Sequence, residues 1–204
     1  DADCVIFSFQ AVKNLPTADA GAICFKDSDL DLLARKLSWL GIDKSTFDRF
    51  NKGTYNWKYD VDSLGFKYHG NSIMAAMALV SLRYIDSDNQ RRRDIAKIYS
   101  SELDKFHGLE IIQHDKQIES SRHLFQICIE NRDEFMEFMA KNLVFCGSHY
   151  LSNHNYQLFE KFQRDAKQTN FYSDRLVTCP IHVGLSDDEI QIVISTIAKY
   201  FSVA

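Results

Sequence analysis

Val5-Ile6-Phe7-Ser8-Phe9-Gln10-Ala11-Val12-Lys13-Asn14 is the stretch whose reading decides the fold. Val5, Ile6 and Phe7 are β-branched or aromatic and read as a short buried strand. Ser8 opens a polar turn, and Lys13 follows, with Val12 before it and Leu15 after. Desolvation just past a buried strand disfavours an ammonium ion and so favours the neutral amine, a nucleophile toward carbonyls. An ordinary loop lysine fits the same residues, and loop lysines far outnumber catalytic ones.

Working outward, residues 20–25 are small and apolar and read as a second strand. Asp27 or Ser28 caps a helix to about residue 40, with Leu30, Leu33, Leu37 and Leu40 as a core stripe and Gly41 as its stop. Residues 43–56 are polar and read as a loop anchored by Trp57 and Tyr59. Asn71 or Ser72 caps a helix over 73–85 that is apolar nearly all round and therefore expected to be buried, in this chain or against another subunit. A second helix, 88–106, turns Ile95, Ile98, Tyr99, Leu103 and Phe106 inward. Charge rises and the helical pattern restarts near Ser87, which places a domain boundary there, giving 1–86 and 87–204. The rest reads as a small α+β domain: strands at 107–112, 123–130, 143–145 and 176–178, and helices at 132–141 and 156–163. A last helix is announced by the Ser186/Glu189 capping box.

Composition narrows the classes. Lys+Arg 24 against Asp+Glu 28 gives a formal net charge of -4, which argues against a nucleic-acid partner. The basic run Arg91-Arg92-Arg93 lies in a helical pattern with Asp86, Asp88 and Asp94 nearby and reads as a solvated face. Five cysteines without CxxC spacing read as small core residues in a reducing compartment. His123, His149 and His182 lack ligand spacing, so no metal site is expected. With no long apolar run and no leader-like N-terminus, the chain reads as soluble and cytoplasmic, without a membrane partner.

Ser8-Phe9-Gln10-Ala11-Val12-Lys13-Asn14-Leu15, with Thr17 and Gly21, resembles the cofactor-lysine segment of the DegT/DnrJ/EryC1/StrS family of pyridoxal-phosphate (PLP) dependent aminotransferases. Tyr59-Asp60-Val61, Leu64-Gly65-Phe66-Lys67-Tyr68-His69, Ser72-Ile73 and Ala75-Ala76 resemble the family's second block. His123-Leu124-Phe125, Asn131-Arg132-Asp133-Glu134, Gly147-Ser148-His149-Tyr150 and Pro180-Ile181-His182-Val183-Gly184-Leu185 resemble its C-terminal blocks, in the family's order.

The resemblance implies an α/β chain of the PLP-dependent transferase fold type I, aspartate aminotransferase-like. It would comprise the end of the large PLP-binding domain (1–86) and the small C-terminal α+β domain (87–204). It implies transfer of an amino group from glutamate to a nucleotide-linked keto sugar, by a homodimer, in amino-sugar synthesis for a polysaccharide or glycosylated product. Lys13 would hold PLP covalently and shuttle the proton, roles that only a lysine combines. Ser8 would bond the cofactor phosphate, Lys67 would reach that phosphate across the dimer interface, and Tyr68, His69, Asn71 and His149 would meet the substrate. A non-catalytic family member retained as an assembly partner is the alternative.

Some residues depart from the family pattern. Ala18-Asp19-Ala20-Gly21 stands where the family usually has Gly-Glu-Gly-Gly, so the loop is expected to run differently. Gln10 and Gly70 also differ, which bears on substrate preference more than on cofactor binding. The family's pyridine-nitrogen aspartate, ring-stacking aromatic and Gly-Thr phosphate loop precede the lysine and are not in these residues. The chain is therefore expected to be the C-terminal portion of a longer enzyme, inactive by itself.

Overall fold

β1 (Cys4–Ser8) runs antiparallel to β2 (Gly21–Phe25), in a register that sets Val5 opposite Cys24 and Ser8 opposite Gly21. The computed structural model describes residues 2–43, 58–115, 117–162 and 166–203; the loop expected at 43–56 lies, Asp43 apart, outside them, as does Trp57. The chain divides into two compact units, Asp1–Ile85 and Asp86–Ala204.

In the first unit, α1 (Ser28–Ser38) starts where the Asp27 carboxylate accepts from the backbone N–H groups of Asp29 and Leu30. It ends near Leu40 and Gly41, both at positive φ (62° and 75°). A Cβ on Gly41 would stand 1.8 Å from the Ser63 carbonyl oxygen, so only glycine permits this crossing. α2 (Ser72–Ser81) is capped by Asn71, whose Oδ1 accepts from Met74 N at 3.0 Å. Within this single chain, the strand β1 and the helices α1 and α2 are not buried. Ile6 and Ile73 are each 75% exposed, and neither β1, α1 nor α2 contains a buried residue. Val5-Ile6-Phe7 is thus an exposed antiparallel strand, and Leu30, Leu33 and Leu40 are surface residues of this chain. A two-stranded ribbon and two short helices do not present enough surface to cover one another's apolar faces.

The second unit holds the core. Its helices are α3 (Ile85–Leu103), whose first residue belongs to the first unit, α4 (Arg132–Lys141), α5 (Lys167–Ser173) and α6 (Asp187–Val203). Its sheet is antiparallel, in the order β3 (Leu109–Ile111), β4 (Phe125–Ile129), β5 (Leu176–Cys179). Period-two residues Phe125, Ile127 and Ile129 join helical-period residues Ile95, Tyr99, Leu103, Phe135, Ile190, Ile194 and Ile197 in one buried cluster. Each such side chain contributes about 1.5–3 kcal/mol relative to exposure. Tyr99 donates its buried hydroxyl to Pro180 O at 3.0 Å.

Four further expectations are corrected here. The 143–145 segment is not a strand: Leu143 turns to φ 63°, and pairing waits until Gly147 meets Thr178. The 156–163 helix is a pair of 3-10 turns, Asn153–Asn155 and Gln157–Phe162, and α5 follows without having been expected. Arg91-Arg92-Arg93 is no solvated face: Arg92 is 7% exposed and donates to Ile181 O at 3.0 Å, Arg91 binds Leu185 O and Asp187, and Arg93 pairs with Glu119. Cys4 and Cys24 are exposed, whereas Cys128 and Cys179 are core residues as expected.

Candidate functional site

The strand pair that ends at Ser8 continues into a pinched loop. Phe9 N donates to Ala20 O at 2.8 Å, and Thr17 closes the loop by donating both its N–H (2.8 Å) and its hydroxyl (3.2 Å) to Phe9 O. Thr17 is 0% exposed, unusual for a threonine in a loop. Inside the pinch, Lys13 N donates to Gln10 O at 2.9 Å, and Gln10 Oε1 accepts from Val12 N at 3.2 Å, so residues 10–13 form a tight turn. The Ser81 hydroxyl of α2 donates to Pro16 O at 3.3 Å and ties the far side of the loop to that helix. Lys13 is partly buried, and among the described residues its amine has no hydrogen-bond or ion-pair partner. Ala18 adopts φ 69°, the left-handed conformation a glycine would take, so the alanine is accommodated by strain at that residue.

Lys67, Tyr68 and His69 are held together on the end of α1. Phe66 N donates to Leu37 O, and Tyr68 N and His69 N both donate to Ser38 O. These bonds satisfy carbonyls that a helix terminus leaves without intrahelical partners. The His69 ring meets Trp39 edge-on at 4.1 Å, and Tyr68 stacks on Phe66 at 5.2 Å while remaining 77% exposed. Lys67 is exposed, with no partner for its amine among the described residues.

A groove of about 390 Å³ opens between the base of the lysine loop and the start of α2. Phe9, Thr17, Gly21, Asn71, Ser72 and Ala75 line it. Asn71 has given its Oδ1 to the helix cap, which leaves the amide Nδ2 as its donor toward the groove. The sequence reading missed Phe9 and Thr17 as site-forming residues. The spacing of two loop-closing residues around the lysine was the available signal.

His149 belongs to the second unit. Its Nδ1 lies 2.9 Å from the Thr178 hydroxyl, and its carbonyl accepts from Gln126 Nε2 at 2.8 Å, so β4 and β5 fix it from two sides. A Cβ on Gly147 would come within 2.8 Å of the imidazole Cε1, so the glycine makes room for the ring. Among the described residues no group of three or more His, Cys, Asp or Glu side chains is arranged to hold a metal, and no helix is long and apolar enough to cross a membrane.

This architecture is that of PLP-dependent transferase fold type I. It matches the aminotransferase PseC of Helicobacter pylori, described as involved in the biosynthesis of pseudoaminic acid, with a TM-score of 0.88 at 23% identity, over 100% of this chain and 54% of that one. It also matches Spr1654 of Streptococcus pneumoniae, solved in a PMP form, with a TM-score of 0.84 at 28% identity, over 98% of this chain and 53% of that one. By sequence, the spore coat polysaccharide biosynthesis protein SpsC of Bacillus subtilis is 26% identical over 96% of this chain and 53% of its own length. The model of the DegT/DnrJ/EryC1/StrS aminotransferase family matches residues 1–198, and the chain belongs to that family. It spans about half the length of the relatives it matches.

Proposed function

We propose that this chain carries the cofactor lysine of a PLP-dependent aminotransferase acting on a nucleotide-linked keto sugar, with glutamate as amino donor. The observation that carries the reading is Lys13: an amine without a partner among the described residues, on a loop clamped at its base by Thr17 and Phe9. The residues fit the cofactor's chemistry, since it needs an amine for its aldehyde and hydroxyl or cationic groups for its phosphate. Lys13 would supply the amine, Ser8 the hydroxyl, and Lys67 the cation, the last toward the site of a second copy in a homodimer. PLP, when bound, supplies an electron sink for the carbanion formed next to the donor's nitrogen. Lys13 takes the proton from the donor's Cα and returns it on the far side of the transfer. The rigid turn at residues 10–13 restricts where that amine can travel. Tyr68, His69, Asn71 and His149 would contact the sugar nucleotide, Tyr68 offering an exposed ring and Asn71 an amide donor. The two units would then be the end of the large PLP-binding domain and the small domain. The relative's role in spore coat polysaccharide synthesis supports an amino sugar destined for a polysaccharide.

A second reading, a non-catalytic family member acting as an assembly partner, draws on the apolar side chains of the first unit that face solvent, Ile6 and Ile73 among them. PLP titration separates the two. Visible absorbance of bound cofactor that vanishes in Lys13→Ala is expected under the first reading. No absorbance from the protein as isolated from its source would leave only the second.

A further inference from the structure

Cys146 and Cys179 flank the backbone bridge between Gly147, in the 144–150 segment, and Thr178 of β5. Gly147 and Thr178 exchange both backbone hydrogen bonds, Gly147 N to Thr178 O at 2.9 Å and Thr178 N to Gly147 O at 2.7 Å. In antiparallel pairing, the residues next to such a doubly bonded pair face each other without hydrogen bonds. Their Cα atoms then lie about 4.5 Å apart and their side chains leave on the same face. Cys146, just before Gly147, and Cys179, just after Thr178, occupy those two places. A disulfide requires a Cα separation of about 4.4–6.8 Å, so the pairing already brings the residues within range. Each thiol shifts the ionisation of the other.

We propose that Cys146 and Cys179 form a reversible intramolecular disulfide by exchange with a low-molecular-weight disulfide of the glutathione type. The asymmetry of the pair sets the order of events. The neighbouring Cys179 holds the Cys146 thiol below its ordinary range, whereas Cys146 and then burial push the Cys179 thiol well up. Cys146 is partly exposed, and Cys179 is 1% exposed in the core. Cys146 is therefore the attacking thiolate. Its sulfur bonds to one sulfur of the reagent as the reagent's S–S bond breaks and a first small thiolate leaves. Cys179 then gives up its proton, attacks Cys146 Sγ and expels the second. Two protein thiols are oxidised, and one small disulfide is reduced to two thiols.

No other pair among the five cysteines shares this geometry in the paired strands. Cys4 lies opposite Phe25 and Cys24 opposite Val5, on opposite faces of the ribbon. Cys128, opposite Leu176, faces away from the Phe125–Cys179 pair. Closure of the bond would fasten the segment that carries His149 to β5. The inference does not depend on the aminotransferase reading.

The test is peptide mapping of the full chain after reduction and treatment with oxidised glutathione, without reductant. Tryptic peptides 142–161 and 176–199 should appear joined and lighter by two hydrogens, with loss of both free thiols. Cys179→Ala should stop with glutathione on Cys146, and Cys146→Ser should leave Cys179 unreacted. Cys146→Ser changes a partly exposed position, so it retains a readout even if the core variant fails to fold. A wild-type chain that stops at the Cys146 adduct, keeps both thiols alkylatable, or links Cys146 between two chains overturns the proposal.

Discussion

Replacing Ala18 by glycine is expected to stabilise the first unit, against the usual direction for an alanine-to-glycine change. Ala18 sits at φ 69° in the loop that presents Lys13. For a residue with a Cβ that conformation costs about 1–2 kcal/mol. Glycine removes the strain but raises the entropy of the unfolded chain, an opposing effect of about 0.4–1 kcal/mol. The methyl group is exposed and contributes little burial, so no third effect of similar size intervenes. The expected net gain is about 0.5–1 kcal/mol. Both tryptophans, Trp39 and Trp57, lie in the first 85 residues, so tryptophan fluorescence during urea unfolding follows this unit selectively. Ala18→Gly should move the midpoint to higher urea. Ala22→Gly, in the ordinary conformation of β2, should lower it by an amount matching about 0.5–1 kcal/mol. Equal losses in the two variants would refute the claim that the loop is strained at Ala18.

Arg92 gives a test of a buried charge. Burial pulls its pKa down against the opposing pull of Asp88, and its Nε has no partner among the described residues. Arg92→Met, which keeps the length and removes the charge, should stay within about 1 kcal/mol of wild type, while Arg92→Ala should cost about 2 kcal/mol or more. Circular dichroism in a denaturant series decides it, and equal damage from both would show that the bond to Ile181 O dominates. At the start of α6, Ser186 N and its hydroxyl donate to Glu189 and hold the carboxyl below its ordinary value of 4.5. A depressed folded pKa means stability that is full above 4.5 and lost as pH falls through the folded value. Glu189→Gln should flatten that part of the stability–pH curve, and parallel curves would dispose of the idea. Ser186→Ala, which removes the acceptor for Glu189 N, should lower stability by about 1 kcal/mol at neutral pH, read from the same denaturant series.

Local chemistry was legible where it is self-contained. Asp27, Asn71 and Ser186 cap their helices because a short polar side chain can reach the free N–H groups two or three residues ahead, whatever surrounds them. α4 occupies the 132–141 span that the sequence indicates, with Phe135 and Met139 on its buried side. The lysine turn also follows from adjacent residues, but its clamp by Thr17 joins positions eight apart and needed the structure. The leucines of α1 and the all-round apolar α2 show the limit of the same reasoning. Periodicity states which side chains share a face, and nothing about what covers that face.

By itself, then, the sequence determined the capping residues of three helices, where the first two strands lie, the family's motif order and the lysine at the turn. Each depends on neighbours within a few residues or on order along the chain. Only the tertiary structure decided that Arg92 is buried, that Leu143 turns rather than pairs, and that Cys146 faces Cys179. Those outcomes are set by which distant segment lies alongside, and a linear pattern of residue types does not encode that proximity.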